Sequence, residues 1–337
     1  MPLRDVRSQD QSVRTLQRAR ASGKLHHAWL LTGPSGVGKT LVARELARLL
    51  LCDSPTDGQD ACGACRPCGL IDRSTHPDFI VVTLEEGKKL IAVSQVRELR
   101  TMLDYPPHMS RARVILFERA DLMTIEAQNA LLKTLEEPTD RNYLLLTTSQ
   151  PARLLPTVRS RCSELQLTPL PPSVVLELLR RALPDVDPAH ASLAASLSGG
   201  SVTAALALAG SDLDRLCDHV EALDRALERG AVPDLLGLAE DMTRDSDRGQ
   251  LVTALQLVAL WFRDLMLAAA AAGGEGDAGL SLAYQHRRDE VVRRAGQLGL
   301  GRASEHLAAT LAAIDAVQTR NASPRLTTEA MLLRMLS

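Results

Sequence analysis

The chain has 337 residues, long enough for two or three domains. Hydrophobic residues make up 45% but aromatic residues only 2%, so Leu, Ala and Val must pack the core, a profile that leans towards helix. A net charge of −2 excludes a chain that gathers nucleic acid by its overall charge; any such contact has to come from a local patch.

The opening residues, Met1 to Asp10, are polar and mixed in charge, and no secretory signal is read there. Ala28–Thr32 is the first β-rich run. Gly33-Pro34-Ser35-Gly36-Val37-Gly38-Lys39-Thr40 follows it and opens a helical pattern over Leu41–Leu51. This segment fits G-x-x-x-x-G-K-[ST] at every position, in the strand-to-helix context that the motif requires. The glycines let backbone N–H groups curl around phosphate oxygens, and the helix N-terminus adds its positive dipole. Lys39 is expected to reach the β- and γ-phosphates of ATP, or the β-phosphate of ADP, and Thr40 to ligate Mg²⁺. The plain alternative is a glycine-rich turn with no ligand.

Six cysteines occur, and Cys52, Cys62, Cys65 and Cys68 lie within seventeen residues. Without a secretory signal, such clustering points to metal rather than disulfides, and to the cytosol as the setting. Pro55, Gly58, Gly63, Pro67 and Gly69 keep this segment in turns. Four thiolates in a tetrahedral array suit a structural Zn²⁺ with no open position. An iron–sulfur cluster is the competing metal, and two disulfides are the alternative without one. Cys162 and Cys217 stand alone and read as ordinary thiols.

Further β-rich runs at Phe79–Thr83, Arg113–Phe117 and Tyr143–Thr148 alternate with helical patterns at Ser94–Leu103 and Thr124–Glu136. The alternation predicts a parallel sheet with helices on both faces. A hydrolysing P-loop site needs carboxylates at the end of a neighbouring strand, for Mg²⁺ and for the attacking water. Here Arg113–Phe117 runs into Glu118-Arg119-Ala120-Asp121, where Asp-Glu would be expected at 118 and 119. Glu118 is available to Mg²⁺, though its longer side chain shifts the geometry, or else it is a solvated strand-end charge. Arg119 cannot act as a base, because guanidinium stays protonated. Asp121 is expected to face elsewhere. Downstream, Leu154 to Cys162 carries Arg159 and Arg161. They read either as a solvated basic turn or as a cation offered to a neighbouring subunit's γ-phosphate.

The alternation stops near Leu167, and Thr168 to Pro172 reads as a linker. Helical patterns then run to the end, punctuated by Pro184, Pro188, Gly199, Gly200, Gly210, Pro233, Gly273 and Gly274. A small helical domain to about Ser211 precedes a second helical domain. Leu251 to Ala272 is the most apolar stretch, but Gln256, Arg263 and Asp264 interrupt it, so a buried helix explains it better than a membrane span. The stretch Ala268 to Gly279 is expected to end one helix and loop to the next.

Together these residues resemble the clamp-loader branch of the AAA+ ATPases, and within it the delta-prime family of bacterial DNA polymerase III subunits. The resemblance covers essentially the whole chain. The P-loop, the cysteine insertion, the run Asn129-Ala-Leu-Leu-Lys133-Thr-Leu-Glu136-Glu137-Pro138 and Ser160-Arg161-Cys162 come in the family's order, and the run from Asn129 is the most distinctive. Asn321 to Glu329 is similar to the opening of the family's last collar helix.

The resemblance implies an α/β, RecA-like AAA+ domain with a parallel sheet over residues 1–167, carrying a zinc module at 52–68. A small helical lid domain over 168–211 and an all-α collar (oligomerisation) domain over 212–337 would follow. The implied partners are gamma/tau and delta subunits in a five-membered ring, the sliding clamp and primer–template DNA, with no membrane. Arg161 would act in trans as an arginine finger on the adjacent gamma/tau ATPase. Arg97, Arg100, Arg111 and Arg113 offer local basic support for clamp or DNA contact, or equally a solvated face.

The rival within the branch is the gamma/tau ATPase motor. Arg119 stands where the motor has its catalytic Glu, and Thr203 where it has a nucleotide-sensing Arg; no long basic extension is seen after the collar-like region. These departures favour a stator with weak or no turnover of its own. The intact P-loop is less expected in a stator, since some members of the delta-prime family have lost theirs. A zinc-containing AAA+ protein outside replication is a third reading, disfavoured by the run from Asn129.

Overall fold

The computed structural model describes residues 3, 6–57, 59–210, 213–244, 247–272, 282–318, 320 and 322–336. Met1, Gly58, Ser211, Gly273, Gly274, Gly279 and Asn321, on which parts of the sequence reading fall, lie outside them. Two compact units form, Met1–Val174 and Val175–Ser337.

The first unit runs α1 (Asp10–Ala21), β1 (Ala28–Thr32), α2 (Lys39–Leu51), α3 (Arg66–Asp72), β2 (Phe79–Val82), α4 (Val93–Leu103), β3 (Arg113–Phe117), α5 (Ile125–Glu136), β4 (Asn142–Thr148), α6 (Pro156–Arg159) and β5 (Ser163–Gln166). The strands form one sheet in the order β2-β3-β4-β1-β5, and every pairing is parallel. Side chains alternate between faces along a strand, and here both faces are apolar. Trp29, Leu31, Val114, Leu116 and Leu145 pack with Val42, Leu46 and Leu49 of α2 on one side. Leu30, Ile115, Phe117, Leu144 and Leu146 pack with Leu99 of α4 and Leu131 of α5 on the other. That two-sided burial is why β1 and β3 read as unbroken apolar runs. The result is a three-layer α/β architecture with a parallel sheet, its strand ends collected at one rim, where such folds take their ligands.

The four strands read from sequence are all present; β2 ends one residue early, at Val82, and β4 begins one early, at Asn142. The fifth, β5, was not anticipated. Only Leu165 of its residues is buried, as suits a short edge strand, so it lacks the apolar run that betrays its neighbours. α1 was also missed, because only Val13 and Leu16 are its buried apolar residues in an otherwise polar sequence.

α7 (Pro172–Ala182) begins within the first unit and continues into the second, which contains α8 (Pro188–Leu197), α9 (Val202–Ala209), α10 (Leu213–Arg229), α11 (Val232–Arg244), α12 (Arg248–Ala272), α13 (Arg288–Gln318) and α14 (Pro324–Arg334). Gly299, at φ 77° and ψ 160°, breaks α13 into two helical pieces. Among the described residues one helix, α12, is long and apolar enough to cross a membrane, and 61% of its apolar window is buried inside the protein. Its Asp264 is fully buried and accepts a bond from the Tyr284 N–H at 2.9 Å, which is how a carboxylate is tolerated there. The Arg294 guanidinium likewise grips both oxygens of buried Asp224, at 2.8 and 3.0 Å.

Candidate functional site

β1 delivers the chain to Gly33 at the sheet rim. A Cβ at Gly33 would lie 2.4 Å from the Leu167 carbonyl oxygen, so only glycine fits where the loop leaves the strand. Leu167 N–H in turn donates to the Thr32 carbonyl at 2.8 Å. Gly36 and Gly38 have φ of 73° and 101°, in the region open chiefly to glycine. Gly38 is the N-cap of α2, so the amides of its first turn are left for an anion. Val37 is buried and anchors the loop, while Pro34 and Ser35 are exposed and Thr40 is half-buried on the first turn of α2.

Lys39 folds back over this loop. Its Nζ donates to the Gly33 carbonyl at 2.8 Å and the Pro34 carbonyl at 2.6 Å. Burial lowers its pKa, and the charge of Asp121 works in the opposite direction. A phosphate entering the loop would compete with two carbonyls for the ammonium, an exchange that favours the charged ligand.

The acids facing this loop are engaged within the fold. Glu118 receives a hydrogen bond from Arg44 Nη2 at 3.1 Å, and Arg44 stands one turn along α2 from Thr40. Arg119 is exposed and has a left-handed backbone at φ 57°, with its N–H donating to Thr147 Oγ1 at 3.2 Å. That reversal leads into a 3₁₀ turn at Ala120–Leu122 and swings Asp121 inward. Asp121 is buried, accepts from Thr148 Oγ1 at 2.8 Å, and sits near enough for its charge to act on Lys39. The expectation that it faces elsewhere is therefore corrected. Spacing alone could not reveal this, since it depends on a left-handed residue that nothing in an arginine announces. Thr148, at the end of β4, was likewise missed.

The cysteine insertion follows α2. The Cys62 N–H donates to Cys52 Sγ and the Cys65 N–H to Cys62 Sγ, both at 3.3 Å. Cys52 Sγ lies 3.5 Å from Cys62 Sγ and 3.8 Å from Cys65 Sγ, and the four sulfurs all fall within 4.8 Å of one another. A tetrahedral Zn²⁺ with Zn–S bonds of about 2.3 Å puts its sulfurs about 3.8 Å apart. The donor set, its spacing and its N–H···S bonds fit a metal. The backbone N–H groups of Ala64 and Cys65 bring the Cys62 thiol down to about 6, as a ligand thiolate needs, while burial pushes Cys52 and Cys68 up. Burial alone raises Cys162 to about 12 and leads the rise of Cys217 to about 11, as expected of thiols without chemistry.

Arg161 is positioned by different means. Gln128 on α5 is buried and makes three bonds: its Nε2 donates to the Met123 and Arg153 carbonyls, and its Oε1 accepts from the Leu155 N–H at 2.7 Å. This staples the start of the segment that carries α6 to α5. Arg161 Nη1 donates to the Thr157 carbonyl at 2.9 Å, and Nη2 meets Glu136 Oε1 at 2.7 Å. None of these partners belongs to the chain's own P-loop. Of the basic residues read as a possible patch, Arg97, Arg100 and Arg111 are exposed. Arg113 is not part of any surface. It is 2% exposed and bonds the carbonyls of Met102, Tyr105 and Pro106, so it is a fastener for the segment before β3.

The family model described as "DNA polymerase III, delta subunit" matches residues 8–171. The chain is 43% identical over 206 residues to a DNA polymerase III subunit delta' of Pseudomonas aeruginosa, covering 60% of this chain and 62% of that one. It is 36% identical over 259 residues to the delta' subunit of Yersinia pestis, covering 73% and 74%. A gamma/tau subunit of Mycobacterium bovis is 33% identical over 261 residues, which is 75% of this chain but 45% of that longer one.

Proposed function

The chain belongs to the delta-prime family of DNA polymerase III subunits, and from that premise we propose that it is the stator of a clamp loader. In this reading it binds nucleotide with little or no turnover. It sits in a five-membered ring with gamma/tau and delta subunits in the cytosol, and offers Arg161 as an arginine finger to the adjacent gamma/tau ATP site. The ring opens the sliding clamp and seats it on primer–template DNA. Residues 1–167 act as the nucleotide-binding domain, 168–211 as the lid and 212–337 as the collar.

The observation that carries the stator reading is the pairing of a whole phosphate loop with an acid strand that has no base to offer. Position 119 is an exposed arginine in a left-handed turn, and Glu118 is in an ion pair with Arg44. Without a carboxylate to polarise water, turnover loses the typical 10²–10⁴-fold contribution of general-base catalysis. Gly33, Pro34, Ser35, Gly36, Val37, Gly38, Lys39 and Thr40 would still cradle ATP or ADP, with Thr40 and Glu118 toward Mg²⁺. Cys52, Cys62, Cys65 and Cys68 would hold one structural Zn²⁺, which braces the insertion after α2.

One feature favours the second reading, an ATPase motor resembling gamma/tau: the buried Asp121 acts on Lys39 and bonds Thr148, so a carboxylate does stand beside the loop. The isolated chain decides between them. ATP binding and hydrolysis should be measured beside Lys39→Ala. Binding without turnover, lost in the variant, is the expected outcome; robust Lys39-dependent turnover hands the site to the motor reading.

A further inference from the structure

Arg161 is held at both ends of its guanidinium. Within its own turn Nη1 donates to the Thr157 carbonyl at 2.9 Å. From outside that turn, the Glu136 carboxylate takes Nη2 at 2.7 Å. Glu136 is the last residue of α5, in the run Asn129–Pro138. Two acceptors at opposite ends of a planar fork fix the roll of that plane as well as its place, which one acceptor would leave free. The backbone that leads to α6 is fixed separately, through buried Gln128. The same helix therefore fastens the segment by one side chain and orients the guanidinium by another, two turns apart.

Glu136 has no comparable use in α5 itself. A carboxylate in the last turn of a helix faces the negative end of the dipole, where a cation would be favoured. The side chains of Glu136 and Arg161 are 48% and 35% exposed, so the guanidinium remains accessible while its orientation is set.

We infer that Glu136 is a positioning residue for Arg161, holding the guanidinium oriented before a neighbouring subunit's phosphate reaches it. The inference rests on the finger reading of Arg161 and goes further, by assigning the distinctive run Asn129–Pro138 a task in that chemistry. Preorganisation of this kind acts on the rate of the bound complex and not on assembly.

The test is a double-mutant cycle in the full clamp-loader complex, reading the kcat and KM of its DNA-stimulated ATPase, with ring assembly followed by size-exclusion chromatography. Glu136→Ala should lower kcat about three- to tenfold with KM little changed. Glu136→Gln, whose amide oxygen still accepts, should recover part of the loss. In an Arg161→Ala background Glu136→Ala should cost nothing further, which a merely structural role in α5 would not produce. Equal losses in both backgrounds, or no loss beside an intact Arg161 whose own removal is costly, would overturn the inference and leave the finger reading standing. If Arg161→Ala itself leaves the ATPase unchanged, the finger reading falls and Glu136 has nothing to position.

Discussion

Two regions of the nucleotide-binding unit differ in what they leave free. Around the loop Gly33–Thr40 the backbone is complete, with three glycines at positive φ and a lysine over the cradle, yet the two acids that follow β3 are engaged: Glu118 with Arg44, Asp121 with Thr148. At the turn Thr157–Cys162 the backbone is ordinary, but one cation is presented half-exposed and held by acceptors on both sides. The first is equipped to hold an anion and poorly equipped to attack it. The second makes no polar contact with the first, and suits an anion that comes from elsewhere. Holding a ligand and acting on one are separable tasks, and here they lie on different elements of one sheet domain.

The sharpest way to break this comparison is to swap which half is removed. In the assembled complex Arg161→Ala should lower turnover at the neighbouring site about 10³-fold. Lys39→Ala should leave that turnover within about twofold, since the chain's own loop does no chemistry in this account. A complex hurt more by Lys39→Ala than by Arg161→Ala would invert the two roles. A middle-sized effect concerns the bracing of the loop's helix. Elemental analysis should find near one zinc per chain, and Cys68→Ser should remove it and lower the thermal midpoint by several degrees, because a structural site's binding energy is folding energy. Iron, or no metal, in the unaltered chain would refute the zinc assignment. The smallest effect should come from Arg119→Glu. It supplies the missing carboxylate but leaves Glu118 paired and position 119 at φ 57°, so isolated turnover should rise by no more than about tenfold. A larger gain would mean that residue identity alone had silenced the site.

How much could be read from the residues follows from where the information sits. β1 and β3 were legible to the residue because both faces are buried, which leaves an uninterrupted apolar signature. β5 and α1 were not, since each hides only one or two apolar side chains from water. The P-loop and the cysteine knuckle were legible because their chemistry is fixed by short spacings along the chain. Asp121 and Arg113 were misjudged for the converse reason. One is redirected by a left-handed arginine and the other is internalised by three carbonyls from a preceding turn, and neither leaves a pattern in the chain. Glu136 and Gln128 were visible only as letters of a distinctive run, until their partners on the segment around α6 gave them roles.

The close approach of Gly33 to Leu167 carries a mechanical consequence. The Leu167 carbonyl lies where a Gly33 side chain would begin, and its N–H is tied to Thr32, the residue before the loop. Leu167 also directly follows Gln166, the last residue of β5. The entry to the loop and the residue that follows β5 are thus held against each other. Any ångström-scale tightening of the loop must either carry the residue after β5 with it or break a hydrogen bond.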